Sequence, residues 1–169
     1  MTTFGQGDHL LLVDGSGYIF RAYFSSLNVK GHHYRSDGTP VGALRIFCNM
    51  IITDVLQSTR SPTHIAVVFD YSSKSFRNDI YPDYKANRPP PPEDLIPQFA
   101  STREATRAFN IRCLELEGYE ADDIIATLAV KAKKAGGEVS IFSSDKDLMQ
   151  LVGEGISMYD PKKKEVIGR

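Results

Sequence analysis

The sequence lacks several features that mark common classes of protein. Its two cysteines, Cys48 and Cys113, stand far apart, with no second thiol or histidine at the spacing of a zinc site or a redox motif. The chain does not start with a charged segment followed by an apolar one, and no apolar run approaches the roughly 18 to 20 residues that cross a bilayer. These absences predict a cytoplasmic protein with reduced thiols and no membrane partner.

Neither sign of charge is in excess. The 20 Lys and Arg residues face 21 Asp and Glu residues, so the formal net charge is -1. A uniformly basic surface for nucleic acid is therefore excluded, and any such binding must come from local clusters of cations. With 169 residues, 41% of them hydrophobic, the chain has the size and apolar content of one globular domain.

Short apolar runs alternate with helix-like stretches along the chain. The runs that read as strands are residues 9–13, 64–69, 111–116 and 138–142, followed by a possible hairpin over 156–159 and 165–167. Amphipathic spacing predicts helices over residues 41–57, 94–109 and 121–135, the last of them ending at Gly136. This alternation predicts an α/β sandwich with a mainly parallel central sheet.

One connection is much longer than the roughly 2 to 6 residues usual between a strand and a helix. Residues 71–97 contain four cations interleaved with tyrosines and end in a run of four prolines at 89–92. The cations are Lys74, Arg77, Lys85 and Arg88. We expect this basic segment to pass over the carboxyl edge of the sheet, and the alternative is a solvated loop with a stiff polyproline end.

Acidic residues follow the predicted strands at the edge where parallel strands end and ligands commonly bind. They come from four regions of the sequence: Asp14, Asp70, Glu120 with Asp122 and Asp123, and Asp145 with Asp147. So many anions in one cleft require either protonation or a compensating cation. Oxygen ligands without His or Cys favour Mg²⁺ or Mn²⁺, which commonly meet phosphate oxygens. The pattern therefore predicts phosphoryl-transfer chemistry on a phosphodiester.

Each of these acids also has an ordinary structural interpretation. The acids of residues 120–123, which are Glu120, Asp122 and Asp123, would cap a helix and offset its dipole, Asp14 would form a turn, and Asp145 with Asp147 would begin a short helix. The metal interpretation is favoured for the whole set because all of these acids fall at the same edge of the sheet.

Five segments carry a family resemblance. They are V-D-G-S-G-Y-I-F-R-A-Y (13–23), A-V-V-F-D (66–70), F-R-N-D-I-Y-P-D-Y-K-A-N-R-P-P (76–90), E-G-Y-E-A-D-D (117–123) and S-S-D-K-D-L-M-Q-L-V (143–152). In this order they closely resemble the 5′ to 3′ exonuclease domains joined to bacterial DNA polymerase I, which are relatives of the flap endonucleases. The resemblance implies a PIN-like three-layer sandwich, a cytoplasmic bacterial protein, and removal of RNA primers and 5′ flaps during DNA replication and repair.

Position by position, the resemblance also implies the site. It assigns a metal cluster to Asp14, Asp70, Glu120, Asp122, Asp123, Asp145 and Asp147, with two Mg²⁺ or Mn²⁺ ions in the complete domain. The first ion would be held mainly by Asp70, Glu120 and Asp122, which makes these three residues catalytic.

The resemblance further implies which residues bind DNA. Tyr84, Lys85 and Arg88 match the basic helix of an arch that screens the single-stranded 5′ end, and Arg77 looks like a phosphate ligand. Arg77 and Lys85 would stabilise charge on the scissile phosphate, and Tyr84 would stack on an unpaired base. Lys85 and Arg88 are expected to bind DNA without affecting metal affinity.

Three aromatic residues after Gly17 have two interpretations. Tyr18, Tyr23 and Phe24 lie at helical spacing, which favours packing in the core. The alternative is that they stack on nucleic-acid bases.

The family pattern continues beyond what residues 1–169 contain. Relatives carry a second aspartate pair and a glycine-rich helical hairpin that grips the duplex, and neither motif is present here. Residues 1–169 are thus expected to be the amino-terminal catalytic part of a 5′ nuclease domain, with an arch-like excursion at about 71–97 and a polymerase region following. The expected partners are DNA with a 5′ flap or 5′ end and RNA primer–DNA duplexes.

Two other functions are alternatives to this one. A non-catalytic fragment that binds flap DNA is the main alternative, because the second aspartate pair and the hairpin are missing. A phosphotransferase of the haloacid dehalogenase type is disfavoured, because it needs an aspartate two residues after the first and Ser16 stands there.

Overall fold

The computed structural model describes residues 4–31 and 33–168, and a six-stranded sheet forms its centre. The parallel strands are β1 (His9–Asp14), β2 (His64–Val68), β3 (Arg112–Leu114), β4 (Glu138–Phe142) and β5 (Ile156–Asp160). Strand β6 (Glu165–Ile167) pairs antiparallel with β5. The order across the sheet is β3-β2-β1-β4-β5-β6, so the mainly parallel sheet and the final hairpin are confirmed.

Helices cover both faces of this sheet. Their bounds are α1 (Gly15–Ser26), α2 (Gly42–Met50), α3 (Phe76–Ile80), α4 (Ile96–Ala108) and α5 (Ala121–Lys134). A π-helical turn (Ile51–Leu56) follows α2, and a 3₁₀ helix (Lys146–Leu151) follows β4. Contacts place α1, α2 and α4 on one face and α5 on the other, which gives the predicted three-layer sandwich.

The predicted helix over residues 41–57 is one continuous helical stretch in two different forms. The α-helical part ends at Met50, and the wider turn that follows contains the β-branched residues Ile51, Ile52 and Val55. Side chains of this type are stiff at χ1 and fit less easily against the preceding turn of an α-helix. Ile51 and Val55 are both buried in the core, so packing compensates for the irregular backbone.

The core has two halves because neighbouring residues of a strand face opposite sides of the sheet. In β1, Leu11 and Val13 pack under α1 and α2, whereas Leu12 packs under α5. All three are fully buried. The central strands are apolar on both faces, which explains their unbroken runs in the sequence.

The aromatic residues of α1 do not all enter this core. Tyr18 and Tyr23 are buried, as their helical spacing predicts. The core interpretation is wrong for Phe24, which is 57% exposed. Within residues 4–31 and 33–168, no helix is both long enough and apolar enough to cross a membrane.

Candidate metal centre

Four aspartates meet at the carboxyl edge of the parallel strands. Asp14 is the last residue of β1, Asp70 follows β2, Asp145 follows β4, and Asp122 lies in the first turn of α5. Each of Asp14, Asp70 and Asp145 acts electrostatically on Asp122 and raises its pKa. These four residues are called the acid cluster below.

Asp14 is the most buried member of the acid cluster, at 7% exposure. Its carboxylate accepts hydrogen bonds from the Gly17 amide at 2.8 Å and from the Ser143 hydroxyl at 2.8 Å. A Cβ on Gly17 would collide with the same carboxylate, so the close approach requires glycine. Burial, together with the charges of Asp70 and Asp145, raises the pKa of Asp14 despite these hydrogen bonds.

Asp70 is fixed through both its backbone and its side chain. Its amide donates to the Ser16 hydroxyl at 2.9 Å, and its carbonyl accepts from the Arg103 guanidinium at 2.7 Å. The carboxylate accepts from the amide of Ala121, the first residue of α5, at 2.8 Å. Asp70 thus joins the end of the β2 strand to the start of the helix that carries Asp122.

Asp122 has no such structural task. In the part of the chain that the structure describes, no side-chain hydrogen bond or ion pair to Asp122 is formed. Burial is the largest cause that raises its pKa, followed by the charges of Asp14, Asp145 and Asp70, and Lys85 offsets them only partly. The resulting pKa is about 7. At neutral pH this carboxyl therefore holds a proton part of the time, or a cation takes the place of the proton.

Glu120, predicted to be a metal ligand, is paired with Lys85 of the basic segment in this structure. Lys85 Nζ lies 2.8 Å from Glu120 Oε2, and the Ser75 hydroxyl donates to Oε1 at 3.2 Å. The Tyr84 hydroxyl lies 3.4 Å from the same Oε2. Burial works to lower the pKa of Lys85, but the hydrogen bond and charge of Glu120 raise it overall, so the lysine stays charged.

Asp123 is likewise engaged by the basic segment. Arg77 donates to both of its carboxylate oxygens at 2.7 Å, a bidentate ion pair. The hydrogen bond from Arg77 is the main reason that the pKa of Asp123 is lowered. The same carboxylate accepts from the Glu120 amide at 3.1 Å and so caps α5. Arg77, predicted to be a phosphate ligand, uses two of its five N–H donors in this pair.

Asp145 and Asp147 both stand at the start of the 3₁₀ helix. Asp145 caps that helix by accepting from the Asp147 amide at 2.8 Å. Both side chains are exposed to solvent. The capping interpretation thus holds for Asp123 and Asp145, whereas Asp14, interpreted as a turn residue, is instead the N-cap of α1. Capping does not exclude a metal role, because only part of each carboxylate is used.

The cations assigned to a basic helix lie in turns. Helix α3 ends at Ile80, and residues 82–87 form consecutive turns, followed by a bend at residue 88, with Lys85 at a φ of 57°. A helix there is wrong because Pro82 and the prolines from 89 onwards interrupt it, and because Lys85 adopts the left-handed region. Tyr84 and Lys85 still reach the site, whereas Arg88 remains exposed.

The geometry fits a hydrated hard cation better than a closed metal cage. Among residues 4–31 and 33–168, no three His, Cys, Asp or Glu side chains are close enough together to hold one metal ion directly. Mg²⁺ normally keeps several waters and takes only one or two protein carboxylates, so it tolerates such spacing. The oxygen-only donors of the acid cluster and the unsatisfied charge at Asp122 match that chemistry.

Several supporting residues escaped the sequence analysis. Arg103 holds the Asp70 backbone and pairs with Glu115 at 2.6 Å, while Ser16 and Ser143 place Asp70 and Asp14. The only sequence signal for the two serines is their position beside aspartates, in D-G-S and S-S-D. Nothing in the local sequence of α4 indicates the role of Arg103.

Comparison with known proteins identifies the family to which this chain is similar. The family model described as 5′-3′ exonuclease, N-terminal resolvase-like domain matches residues 9–169. DNA polymerase I of Rhizobium leguminosarum is 55% identical over 96% of this chain, and the 5′-3′ exonuclease of Bacillus subtilis is 40% identical over 90%. The chain spans 16% of the first relative and 51% of the second.

Solved structures share the fold. A bacteriophage T5 5′-exonuclease with bound zinc superposes with a TM-score of 0.72, at 20% identity over 95% of this chain and 58% of that one. A T5 flap endonuclease in complex with DNA and metal ions gives a TM-score of 0.70, at 22% identity over 95% of this chain and 57% of that one. At this level of identity the likeness establishes the architecture alone.

Proposed function

Because the chain belongs to the family of the 5′-3′ exonuclease, N-terminal resolvase-like domain, we propose that it forms the catalytic core of a divalent-metal-dependent 5′ to 3′ exonuclease and 5′-flap endonuclease. The reaction is hydrolysis of a phosphodiester bond in DNA. The observation that carries the proposal is Asp122, a partly buried carboxyl that three other carboxylates surround and whose pKa is raised to about 7. The Asp122 side chain forms no hydrogen bond to any described residue that would give it a structural role. A site that binds a cation and a phosphate explains why this carboxyl lies among the other acids.

The ligands we propose are the acid cluster together with Glu120, Asp123 and Asp147. Asp70, Glu120 and Asp122 form the catalytic set, since they converge where β2 meets the start of α5. Bound Mg²⁺ or Mn²⁺, two ions in the complete domain, would activate a water molecule and offset the charge of the scissile phosphate.

The basic segment is proposed to bring the DNA to these acids. Lys85 lies at the rim of the acid cluster, where its ammonium group pairs with Glu120. Its charge partly offsets the rise in the pKa of Asp122. A phosphate that enters the site would meet this cation, and Tyr84 beside it offers a ring for an unpaired base. Arg88 is exposed and free to contact the phosphate backbone farther out.

Arg77 is proposed to act chiefly on Asp123. The guanidinium binds both carboxylate oxygens and lies 4.6 Å above the Phe76 ring. This pair holds the start of α5, and with it Asp122, in place. It uses two of the five N–H donors of the guanidinium, so Arg77 can also contact the scissile phosphate through a remaining donor, as proposed from the resemblance.

The proposed substrates are DNA with a 5′ flap or a free 5′ end and RNA primer–DNA duplexes. The relatives named DNA polymerase I support a role in replication and repair, with a polymerase region in the same polypeptide. The relatives named 5′-3′ exonuclease support the nuclease activity itself.

The proposal is tested by cleavage of a 5′-labelled flap DNA in Mg²⁺ and in EDTA. The proteins compared are residues 1–169 and the longest natural polypeptide that contains them. Asp70→Ala and Asp122→Asn are compared with Glu104→Gln, which neutralises an exposed acid of α4 away from the site. We expect Mg²⁺-dependent release of short 5′ products, with both cluster variants slower by about 100-fold or more and Glu104→Gln unchanged. Flap binding without cleavage in every natural form would instead identify a non-catalytic DNA-binding protein.

A further inference from the structure

Asp160 is a buried acid at the same edge of the sheet that no part of the proposed site uses. It ends β5, and its side chain is only 4% exposed. One oxygen, Oδ1, accepts from the Ser144 hydroxyl at 2.6 Å and from the amides of Lys162 at 2.8 Å and Lys163 at 3.4 Å. Burial opposes ionisation, but these hydrogen bonds lower the pKa of Asp160, so the group is a carboxylate at neutral pH.

Two adjacent serines connect Asp160 to the acid cluster. Ser144 donates to Asp160, and Ser143 donates to Asp14 at 2.8 Å. The Ser143 hydroxyl also accepts from the Asp145 amide at 3.0 Å. The loop over residues 143–145, called the serine loop here, is therefore held at both sides, by β1 through Asp14 and by β5 through Asp160.

This attachment opposes a repulsion within the site. Asp145 carries a charge that acts on both Asp14 and Asp122, and its side chain is exposed. An unattached loop would relax by moving Asp145 away from the other carboxylates, since like charges near one another are unfavourable. The strong hydrogen bond between Ser144 and an ionised Asp160 resists that movement.

We propose that Asp160 is a positioning residue: through Ser144 it holds the serine loop so that Asp145 stays within the acid cluster and helps to bind a divalent cation. This inference rests on the proposed function, because the position of Asp145 matters to cation binding only if the acid cluster is a metal site. The competing explanation is that Asp160 only shapes the turn between β5 and β6, through the amides of Lys162 and Lys163.

Three variants separate the two explanations. Ser144→Ala removes the link to the serine loop and leaves both turn hydrogen bonds in place. Asp160→Ala removes the hydrogen bond from Ser144 and both hydrogen bonds of the turn. Asp160→Asn keeps one acceptor oxygen for Ser144 and for the turn amides. Ser36→Ala, at an exposed serine in another turn, is the matched control.

The first readout is amide hydrogen exchange in EDTA, which needs no metal. The Asp145 amide is protected by Ser143, and the Asp147 amide by Asp145. We expect Ser144→Ala and Asp160→Ala to speed exchange at these two amides, with Asp160→Asn close to wild type and Ser36→Ala identical to it. Unchanged exchange rates at both amides in Ser144→Ala would overturn the proposal, whatever its Mg²⁺ affinity.

The second readout is Mg²⁺ affinity, measured by calorimetry on the same proteins. Ser144→Ala and Asp160→Ala should each weaken binding about tenfold, as the loss of an outer-shell partner does elsewhere. The double variant should be no weaker than Asp160→Ala alone, because the two residues act through one contact. Faster exchange combined with unchanged Mg²⁺ affinity would also refute the positioning role. If wild type binds neither Mg²⁺ nor Mn²⁺, the proposed function fails. The exchange result then shows by itself whether the Ser144–Asp160 hydrogen bond holds the serine loop in place.

Discussion

Lys85 Nζ lies 2.8 Å from Glu120 Oε2, so a cation from the basic segment already occupies one of the proposed metal ligands. Both side chains are partly buried, with 28% and 15% of their surfaces exposed. The pair means that Lys85 and a divalent cation compete for the same carboxylate. Metal binding at Glu120 would therefore free Lys85 to contact a phosphate.

The first prediction follows from this competition. Lys85→Ala should bind Mg²⁺ more tightly than wild type, by about fivefold, because removing one unit charge near a metal ligand is worth on the order of 1 kcal/mol at a partly exposed site. This revises the expectation that Lys85 acts on DNA alone. Calorimetric titration with Mg²⁺ measures it, with Lys74→Ala as a control at an exposed lysine of the same segment. Equal or weaker Mg²⁺ affinity in Lys85→Ala would show that the pair does not compete.

A second prediction concerns the ion pair of Arg77 with Asp123. Arg77→Ala should lower the free energy of unfolding by about 1 to 2 kcal/mol at pH 7, because two charge-assisted hydrogen bonds to a partly exposed carboxylate are lost. Arg77→Lys should recover only part of this stability, since lysine cannot bind both oxygens in the fork geometry.

The pH dependence of that difference has a defined sign. The folded-state pKa of Asp123 is lowered, mainly by Arg77, so the stabilisation is present above the unfolded value near about 4 and is lost as the pH falls through the folded value. Urea unfolding at pH 7, 5 and 3 should show the gap between wild type and Arg77→Ala closing at the acid end. A gap that widens on acidification would refute this account of the pair.

The sequence predicted the central strands β1, β2 and β4 well because most of their residues are buried on both faces. The unbroken apolar runs of β1 and β2 need no tertiary context to be recognised, and the aspartates after them mark the edge of the sheet. Helix boundaries depended more on context, as the π-helical turn after Met50 shows.

The ion pairs could not be read from the sequence. Lys85 and Glu120 are 35 positions apart, and Arg77 and Asp123 are 46 apart, so no local period relates them. Asp160 was missed for a different reason. An aspartate followed by proline and three lysines indicates only a turn. Its hydrogen bond with Ser144 depends on the pairing of β5 with β4, which the local sequence does not reveal.

A third prediction uses the raised pKa of Asp122 without any metal. Because its folded pKa is about 7, above the ordinary value, the folded state loses stability as the pH rises from about 4 to about 7 and keeps that penalty above it. Asp122→Asn removes the penalty. In EDTA the variant should equal wild type near pH 4 and exceed it by about 1 to 3 kcal/mol at pH 8, after allowing for partial exposure and a weaker helix-dipole interaction.

Urea unfolding in EDTA from pH 4 to pH 8 measures this difference. The matched control is Glu104→Gln, which should show no such trend because Glu104 is exposed on α4. An Asp122→Asn protein that is less stable than wild type at pH 8 would mean that Asp122 serves the start of α5 rather than a cation site.

The fourth prediction concerns Arg88, which is exposed in the basic segment. Arg88→Ala should weaken binding of a 5′-flap DNA and reduce the slope of log affinity against log salt by about 0.7, the value for one lost phosphate contact on a single strand. Its Mg²⁺ affinity should stay at the wild-type value because Arg88 does not reach the acids. Fluorescence anisotropy across a salt series tests this, with Arg107→Ala at the end of α4 as control. If Arg88→Ala has the same DNA affinity and salt slope as wild type, the segment beyond Lys85 does not bind DNA and is only a linker.

The most direct test of the central claim, that the acid cluster is a divalent-cation site, is the Mg²⁺ dependence of thermal stability in wild type and in Asp122→Asn. Wild type should melt at a higher temperature as Mg²⁺ is added, gaining about 2.7 kcal/mol at a hundredfold excess over the dissociation constant. Asp122→Asn should lose most of that shift although it is at least as stable as wild type in EDTA, and Glu104→Gln should keep the shift in full. A wild-type protein that does not respond to Mg²⁺ or Mn²⁺, together with an Asp122→Asn variant that is destabilised in EDTA, would contradict the claim.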